Sequence, residues 1–214
     1  MVILSKSQKE LALSLFDSGI IQFDFKKGWR LKLHESNPNA PLSPFYIDLR
    51  KLQSHIDTKL KAVSALVDLI KNIKHDYIAG IPLAAVAIAS SLADKIDKPQ
   101  ITPRMDKKTH GEIRAIDGDY KKGKTVLLVD DLVTNADSKL EAIKILEDNG
   151  LVVKDIAVIF DREQGGADQL LKKGYMLHSI LKIKSTLKFY AEMGKITSVQ
   201  LERVLNYLTA PSGK

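Results

Sequence analysis

The hydrophobic positions of this chain switch repeatedly between a period near 3.6 and short continuous or alternating runs, and each switch marks an element boundary. From Gln8 to Phe16, apolar Leu11, Leu13, Leu15 and Phe16 predict a short helix closing near Gly19. The segments Ile20 to Phe25 and Trp29 to Leu33 alternate, and Lys26-Lys27-Gly28 between them predicts a hairpin with a basic tip. A polar run rich in Pro and Asn, His34 to Pro44, predicts a loop leading into an extended segment from Phe45 to Leu49. Asp57 to Ile73 sets Leu60, Val63, Leu66, Val67 and Ile70 on one face of an amphipathic helix. Tyr77 to Gly80 reads as the first core strand, Ile81-Pro82-Leu83 as a sharp turn, and the alanine-rich stretch through Ala93 as a helix. After a short strand at Gln100 to Pro103, periodicity is absent from Arg104 to Gly123, which predicts a mobile loop. Val126 to Val129 is an unbroken apolar run, the mark of a strand buried on both faces. Helical spacing follows at Leu140, Ile143, Ile145 and Leu146, stopping at Gly150. Val152 to Phe160 predicts a further buried strand, Met176 to Ile183 the last strand, and Ser198 to Leu208 a closing helix.

Apolar strands alternating with helices predict an α/β fold with a Rossmann-like parallel-sheet core. The expected organisation is one domain over residues 1–214, in which residues 1–50 contribute most of a small N-terminal hood and roughly 57–185 form the core. Composition narrows the function. With 44% hydrophobic residues the 214-residue chain can bury a sizeable core, and no apolar run is long enough to span a bilayer. The absence of cysteine excludes thiolate chemistry, the five histidines show no zinc-type spacing, and the start lacks a secretory apolar core, so a cytoplasmic protein is expected. The net charge of +7 comes from lysines spread along helices, with one Trp and six Phe, which makes nucleic acid an unlikely partner and suits a small polyanionic substrate.

The candidate chemistry sits at strand ends. Asp130 and Asp131 close the Val126–Val129 strand, where two adjacent acids would hold hydroxyls, a metal or a cation. The helix start after them offers free backbone N–H groups to an anion, and in an open α/β sheet ligands lie beyond the carboxyl ends of the strands. Arg162 follows the next buried strand in the same way, with a planar fork suited to paired oxygens. A cluster of cations, Arg104, Lys107, Lys108 and His110, falls in the aperiodic loop.

The apolar run with Asp130, Asp131, Thr134 and Ser138 resembles the phosphoribosyl-pyrophosphate loop of the type I phosphoribosyltransferase fold. Three further segments are similar to the orotate phosphoribosyltransferases: Ser43 to Arg50 with the preceding Lys32, the loop Arg104 to Gly111, and Asp161 to Gly166. The resemblance implies transfer of the 5-phosphoribosyl group from phosphoribosyl pyrophosphate to orotate, with Mg²⁺ as cofactor held mainly by substrate oxygens rather than by protein metal ligands. It assigns Lys108, His110, Asp130 and Asp131 to catalysis. Phosphoribosyl pyrophosphate falls to Arg104, Lys108, His110, Asp130, Asp131, Thr134, Asn135, Ala136, Asp137 and Ser138, and orotate to Lys32, Tyr46, Thr134 and Arg162. It also implies a homodimer in which the flexible loop reaches the neighbouring subunit's site. Asn135-Ala136-Asp137 stands where the family usually has a Thr-Gly-Gly run, and Met105 where it has a lysine. Asp137 is expected to point to solvent rather than at the phosphate. Two other readings are a transferase for another base and a non-catalytic nucleotide sensor or regulator.

Overall fold

The computed structural model describes residues 4–31, 33–105 and 114–209. Helix α1 (Lys6–Asp17) opens with a capping box, in which Ser5 accepts from the Gln8 N–H and the Gln8 side chain accepts from the Ser5 N–H. Strand β1 (Ile21–Phe23) follows, then the single turn α2 (Leu33–Ser36), strand β2 (Phe45–Ile47) and a 3₁₀ turn (Leu49–Gln53). The core runs α3 (Ile56–Ile70), β3 (Tyr77–Gly80), α4 (Val86–Ile96), β4 (Gln100–Pro103), β5 (Ile116–Asp117), β6 (Thr125–Val133) and α5 (Asp137–Asp148). It closes with β7 (Val152–Asp161), α6 (Gly166–Lys172), β8 (Met176–Lys182), α7 (Ile183–Glu192) and α8 (Ser198–Thr209).

The main sheet has the order β5-β4-β3-β6-β7-β8, with every pair parallel except β4 and β5. From β3 the chain steps outward to β4, whereas β6, β7 and β8 step the other way. The β3/β6 boundary is therefore the switch point of the sheet, and the crevice beyond its carboxyl ends is where such a fold binds ligands. The continuous apolar run of β6 fits this central place. Leu127 and Val129 enter one core with α1, α3, α4 and α7, and Val126 and Leu128 enter a second core with α5. Each such fully buried side chain contributes roughly 1.5–3 kcal/mol. Gly80 lets α4 approach the sheet, because a Cβ there would lie 2.8 Å from the Ala89 Cβ.

Several expectations are corrected. The hairpin between Ile20–Phe25 and Trp29–Leu33 does not form: β1 pairs antiparallel with β2, Phe23 opposite Phe45, and Trp29 bridges Ser43 instead. Asp24 explains the departure, since its Oδ1 accepts from the N–H groups of Lys26 and Lys27 and turns the chain away from β1. The region from His34 to Pro44 begins inside α2, with His34 buried and hydrogen-bonded to Leu31 and Ala40. Helix α3 stops at Ile70, and Leu60 is 54% exposed because the buried stripe runs through Thr58, Ala62, Val63, Ala65, Leu66 and Ile70. Within the segment expected to be an aperiodic loop, β5 pairs with β4 and Tyr120 packs on the second core. Helices α6 and α7 were not anticipated, and Ile183 belongs to α7 rather than to the last strand.

Candidate active site

The acids do not close the strand as expected. Asp130 and Asp131 lie just past the end of β3, but β6 runs on through them to Val133 because it stays paired with the longer β7. The surroundings of the two acids differ. Asp130 is 5% exposed, and its Oδ2 is 2.6 Å from the Nζ of Lys139, a buried lysine of α5 that also donates to the Leu132 carbonyl at 2.6 Å. Its Oδ1 accepts from the Asp131 N–H at 2.8 Å. Asp131 is half-buried and accepts from the Leu132 N–H at 2.6 Å. Burial, and after it the Asp130 charge, push the Asp131 carboxyl up to about 7, while the Leu132 N–H and Lys139 act in the opposite sense. Lys139 was missed as a site residue. It falls on the stripe of Ala142, Ile143 and Leu146, and a lysine on a buried stripe signals a buried anion.

The connection from β6 to α5 is tied to the one from β7 to α6. The Arg162 N–H donates to the Val133 carbonyl at 3.0 Å and the Gly166 N–H to the Thr134 carbonyl at 3.1 Å. The Ala136 N–H donates to the Gln169 side chain at 2.9 Å. A Cβ on Gly166 would lie 2.4 Å from Val133 Cγ2, so only glycine permits this approach. Helix α5 starts after Ala136 with no side-chain cap, which leaves the N–H groups of Asp137, Ser138 and Lys139 without an intrahelical acceptor and open to an anion. Asn135 and Asp137 are exposed, and the Asp137 carboxylate accepts from the Asn135 amide at 3.0 Å instead of capping the helix. Thr134 and Ser138 are half-buried in the same turn.

Arg162, at the end of β7, is 9% exposed, and its Nε and Nη2 have no hydrogen-bond partner among the described residues. Its Cζ stands 4.8 Å from the centroid of the Phe45 ring of β2. Burial lowers its pKa, and the nearby Tyr207 and Tyr46 oppose that shift. The turn that carries it is held on both sides. Glu163, at φ +52°, donates its N–H to Asp161, and its carboxylate accepts from the Lys184 N–H at the start of α7. Tyr46 stacks on Trp29 with ring centroids 6.2 Å apart, and its hydroxyl takes part in a 3.2 Å hydrogen bond from Arg50. The hood therefore lies over Arg162. Phe45 and Tyr207, which complete this wall, were not singled out from the sequence.

Arg104 is paired with Asp117, its Nε 2.8 Å from Oδ1, and Asp117 holds its pKa above the ordinary value. Met105 is half-buried against the second core, so an apolar residue fits its place. Lys32, Lys108 and His110 lie outside the described residues. A cleft of about 680 Å³ between α1 and the start of α3 contains none of the residues assigned to the site.

Residues 52–183, which hold the acid pair at the switch point, the uncapped helix start beside it and the buried Arg162, match the family model described as the phosphoribosyl transferase domain. Among curated relatives, orotate phosphoribosyltransferase of Sulfolobus acidocaldarius is 35% identical over 82% of this chain and 89% of its own length. The bifunctional enzyme PyrF/PyrE of a Nostoc species is 33% identical over 89% of this chain and 38% of its own. Among solved structures, UMP synthase of Leishmania donovani superposes with a TM-score of 0.81 at 34% identity, covering 94% of this chain and 42% of that one. The chain thus spans about two fifths of these two longer proteins and most of the length of the Sulfolobus enzyme. It belongs to the orotate phosphoribosyltransferase family.

Proposed function

We infer that this chain transfers the phosphoribosyl group of phosphoribosyl pyrophosphate to orotate, giving orotidine 5′-monophosphate and pyrophosphate in pyrimidine synthesis. The observation that carries this reading is Arg162, a buried cation with two nitrogens unpartnered among the described residues, beneath Phe45 and near Tyr46. A free guanidinium in an aromatic-walled recess is suited to a planar ring bearing a carboxylate or carbonyl oxygens, and leaving such donors unmade is costly without a ligand. In the reaction the bond from the sugar carbon to pyrophosphate breaks, its electrons leave with the pyrophosphate, and an orotate nitrogen supplies the pair for the new bond. The acid pair favours the positive charge that develops on the sugar. The helix start at Asp137 to Lys139, with Thr134 and Ser138, holds the 5′-phosphate. Arg104, Lys108 and His110 neutralise the leaving group.

The donor set fits Mg²⁺ carried by the substrate. Asp130 is bound to Lys139, so Asp131 is the carboxylate left at the end of β6, and an octahedral ion must draw most of its ligands from substrate and water. When bound, Mg²⁺ supplies charge neutralisation to the pyrophosphate. A homodimer belongs to the same proposal, and exposed Ile56 and Leu60 of α3 and Leu83 before α4 offer apolar surface to it. A cytoplasmic site of action accords with the absence of cysteine, and no helix among the described residues is long and apolar enough to cross a membrane.

The test is calorimetry and turnover with phosphoribosyl pyrophosphate, Mg²⁺ and a panel of pyrimidines and purines. Selective use of orotate supports the reading, and absence of phosphoribosyl-pyrophosphate binding overturns it. A Lys108→Ala chain mixed with an Asp131→Asn chain should regain part of the lost turnover through hybrid dimers. No recovery in exchanging dimers would place the loop in its own subunit's site.

A further inference from the structure

Two residues other than glycine have a positive φ among the described residues, Asp97 at +53° and Glu163 at +52°. Asp97 has a local reason, since it forms the left-handed cap that ends α4. Glu163 caps no helix of its own and directly follows Arg162. Its Cβ makes this backbone unfavourable, and a glycine would adopt it freely. Two contacts hold it there. Its N–H donates at 2.7 Å to Asp161, which is 3% exposed at the end of β7, and its Oε2 accepts from the Lys184 N–H at 2.8 Å. That N–H lies in the first turn of α7, where it has no intrahelical acceptor, and Lys182 at the N-cap supplies no side-chain cap. The Glu163 carboxylate therefore caps α7 from a turn 21 residues earlier, where a negative charge also meets the positive end of the helix.

Resting on the transferase reading above, in which Arg162 receives the base, we propose that Glu163 is a positioning residue for orotate. It ties the turn after β7 to the start of α7 and so keeps Arg162 beneath Phe45 with two nitrogens left for a ligand. The guanidinium cannot hold itself in place through Nε and Nη2, which have no partner among the described residues. Its place depends on the Phe45 ring, 4.8 Å from Cζ, and on the backbone that carries it. Helix α7 is a firm anchor for that backbone. Ile183, Leu187, Phe189 and Tyr190 are buried, and the Tyr190 hydroxyl donates to the Ala12 carbonyl of α1 at 2.6 Å. The other side of the turn is pinned by backbone alone, through the Arg162 N–H on Val133 and the Gly166 N–H on Thr134. Both of these contacts run to the connection proposed to hold the phosphate, and neither needs Glu163. Loss of the carboxylate thus frees the segment between them, which includes Gly165 at φ +101°, and leaves the phosphate turn as it was. A glycine at 163 would satisfy the backbone but could not reach Lys184, so the contact explains the strained glutamate.

The test uses the full chain and the variants Glu163→Ala, Glu163→Gln and Glu163→Gly. KM for orotate and for phosphoribosyl pyrophosphate, each at saturating partner with Mg²⁺, is read beside kcat and thermal melting. Glu163→Ala should raise KM for orotate by about tenfold and leave kcat and KM for phosphoribosyl pyrophosphate within about twofold. Glu163→Gln keeps an oxygen acceptor for the Lys184 N–H and should restore most of the orotate KM. Glu163→Gly relieves the left-handed backbone without restoring the contact, so it should melt above Glu163→Ala while its orotate KM stays as high. Melting and orotate binding then move apart, which a merely structural cap would not produce. An orotate KM that is unchanged in Glu163→Ala, that follows melting across the variants, or that rises together with the KM for phosphoribosyl pyrophosphate overturns the proposal. If Glu163→Ala does not fold, Glu163→Gln against Glu163→Gly decides, and equal orotate KM in these two overturns it. An unsubstituted chain that binds no phosphoribosyl pyrophosphate by calorimetry overturns the transferase reading itself, before any variant is measured, and this role with it.

Discussion

Replacing Arg162 by methionine should make the ligand-free protein more stable while abolishing its use of orotate. The guanidinium is 9% exposed, with Nε and Nη2 unpartnered among the described residues, and each buried donor left unmade costs about 1–3 kcal/mol. Its contact with the Phe45 ring at 4.8 Å offsets about 0.5–2 kcal/mol of this. Methionine has a similar length, is apolar and adapts to irregular space, so it fills the same recess without the penalty. For the two donors together the net gain is about 3 kcal/mol at the middle of these ranges, which raises Tm by roughly 6–12 °C in a chain of this size. Burial lowers the pKa of Arg162, but a guanidinium stays charged at any working pH, so the gain should be flat with pH. Thermal unfolding of both proteins, with and without orotate, is the assay. Orotate at a hundredfold excess over Kd should add about 2.7 kcal/mol to the parent and nothing to the variant. A variant that melts below the parent would show that the arginine supports the fold more than it strains it, and the argument for a site prepared for an anion would fall.

Gly166→Ala forces a Cβ to within 2.4 Å of Val133 Cγ2 and 3.1 Å of the Thr134 carbonyl, so it should destabilise by roughly 1–3 kcal/mol and raise KM for phosphoribosyl pyrophosphate. Unchanged melting and KM would refute the tight joining of the two turns. Asp131→Asn tests the raised carboxyl. A folded pKa of about 7 above the ordinary value means that the parent's stability is fully present in acid and is lost as pH rises through about 7, whereas the amide variant lacks this slope. Denaturant unfolding should therefore find the variant comparable near pH 4 and more stable near pH 8, by up to about 4 kcal/mol for a three-unit shift. A variant less stable at pH 8 would refute it. Asp137→Gly removes an exposed charge beside the phosphate turn and should tighten phosphoribosyl-pyrophosphate binding by on the order of 1 kcal/mol, read by calorimetry. Unchanged affinity would show that the carboxylate is already remote from the phosphate.

What the sequence carried openly was whatever depends on near neighbours in the chain. The β6 run is legible because a central parallel strand needs apolar residues on both faces, and Val126 to Val129 indeed alternate between the two cores. The acids, the turn and the helix start follow it without a gap, so the candidate phosphate turn could be read from spacing. Alternation in Ile20 to Phe25 announced a strand but not its partner, and a strand 20 or more residues further on, anchored by fully buried Phe45, took the place of the nearer segment. Helix α7 was hidden because Ile183 continues the apolar run of β8, and Thr186, Leu187 and Tyr190, which mark a helix face, come only after the boundary.

The division within the site has the same origin. Lys139 was legible in principle, being three residues before Ala142 and seven before Leu146 on a buried stripe, and its partner Asp130 lies only nine positions away. The recess proposed for orotate could not be read in that way. Arg162 draws its surroundings from β2, more than a hundred residues earlier, and from Tyr207 of α8. No period in the sequence links those segments, because only the folding of the hood over the end of β7 brings them together. A phosphate needs backbone N–H groups that one turn and one helix start can provide, whereas a flat, charged ring needs a wall on each side, which a single loop cannot supply. On the proposed function, then, base specificity depends on how the hood docks. Substitutions in the β1/β2 contact far from Arg162 should change orotate affinity before they change the affinity for phosphoribosyl pyrophosphate.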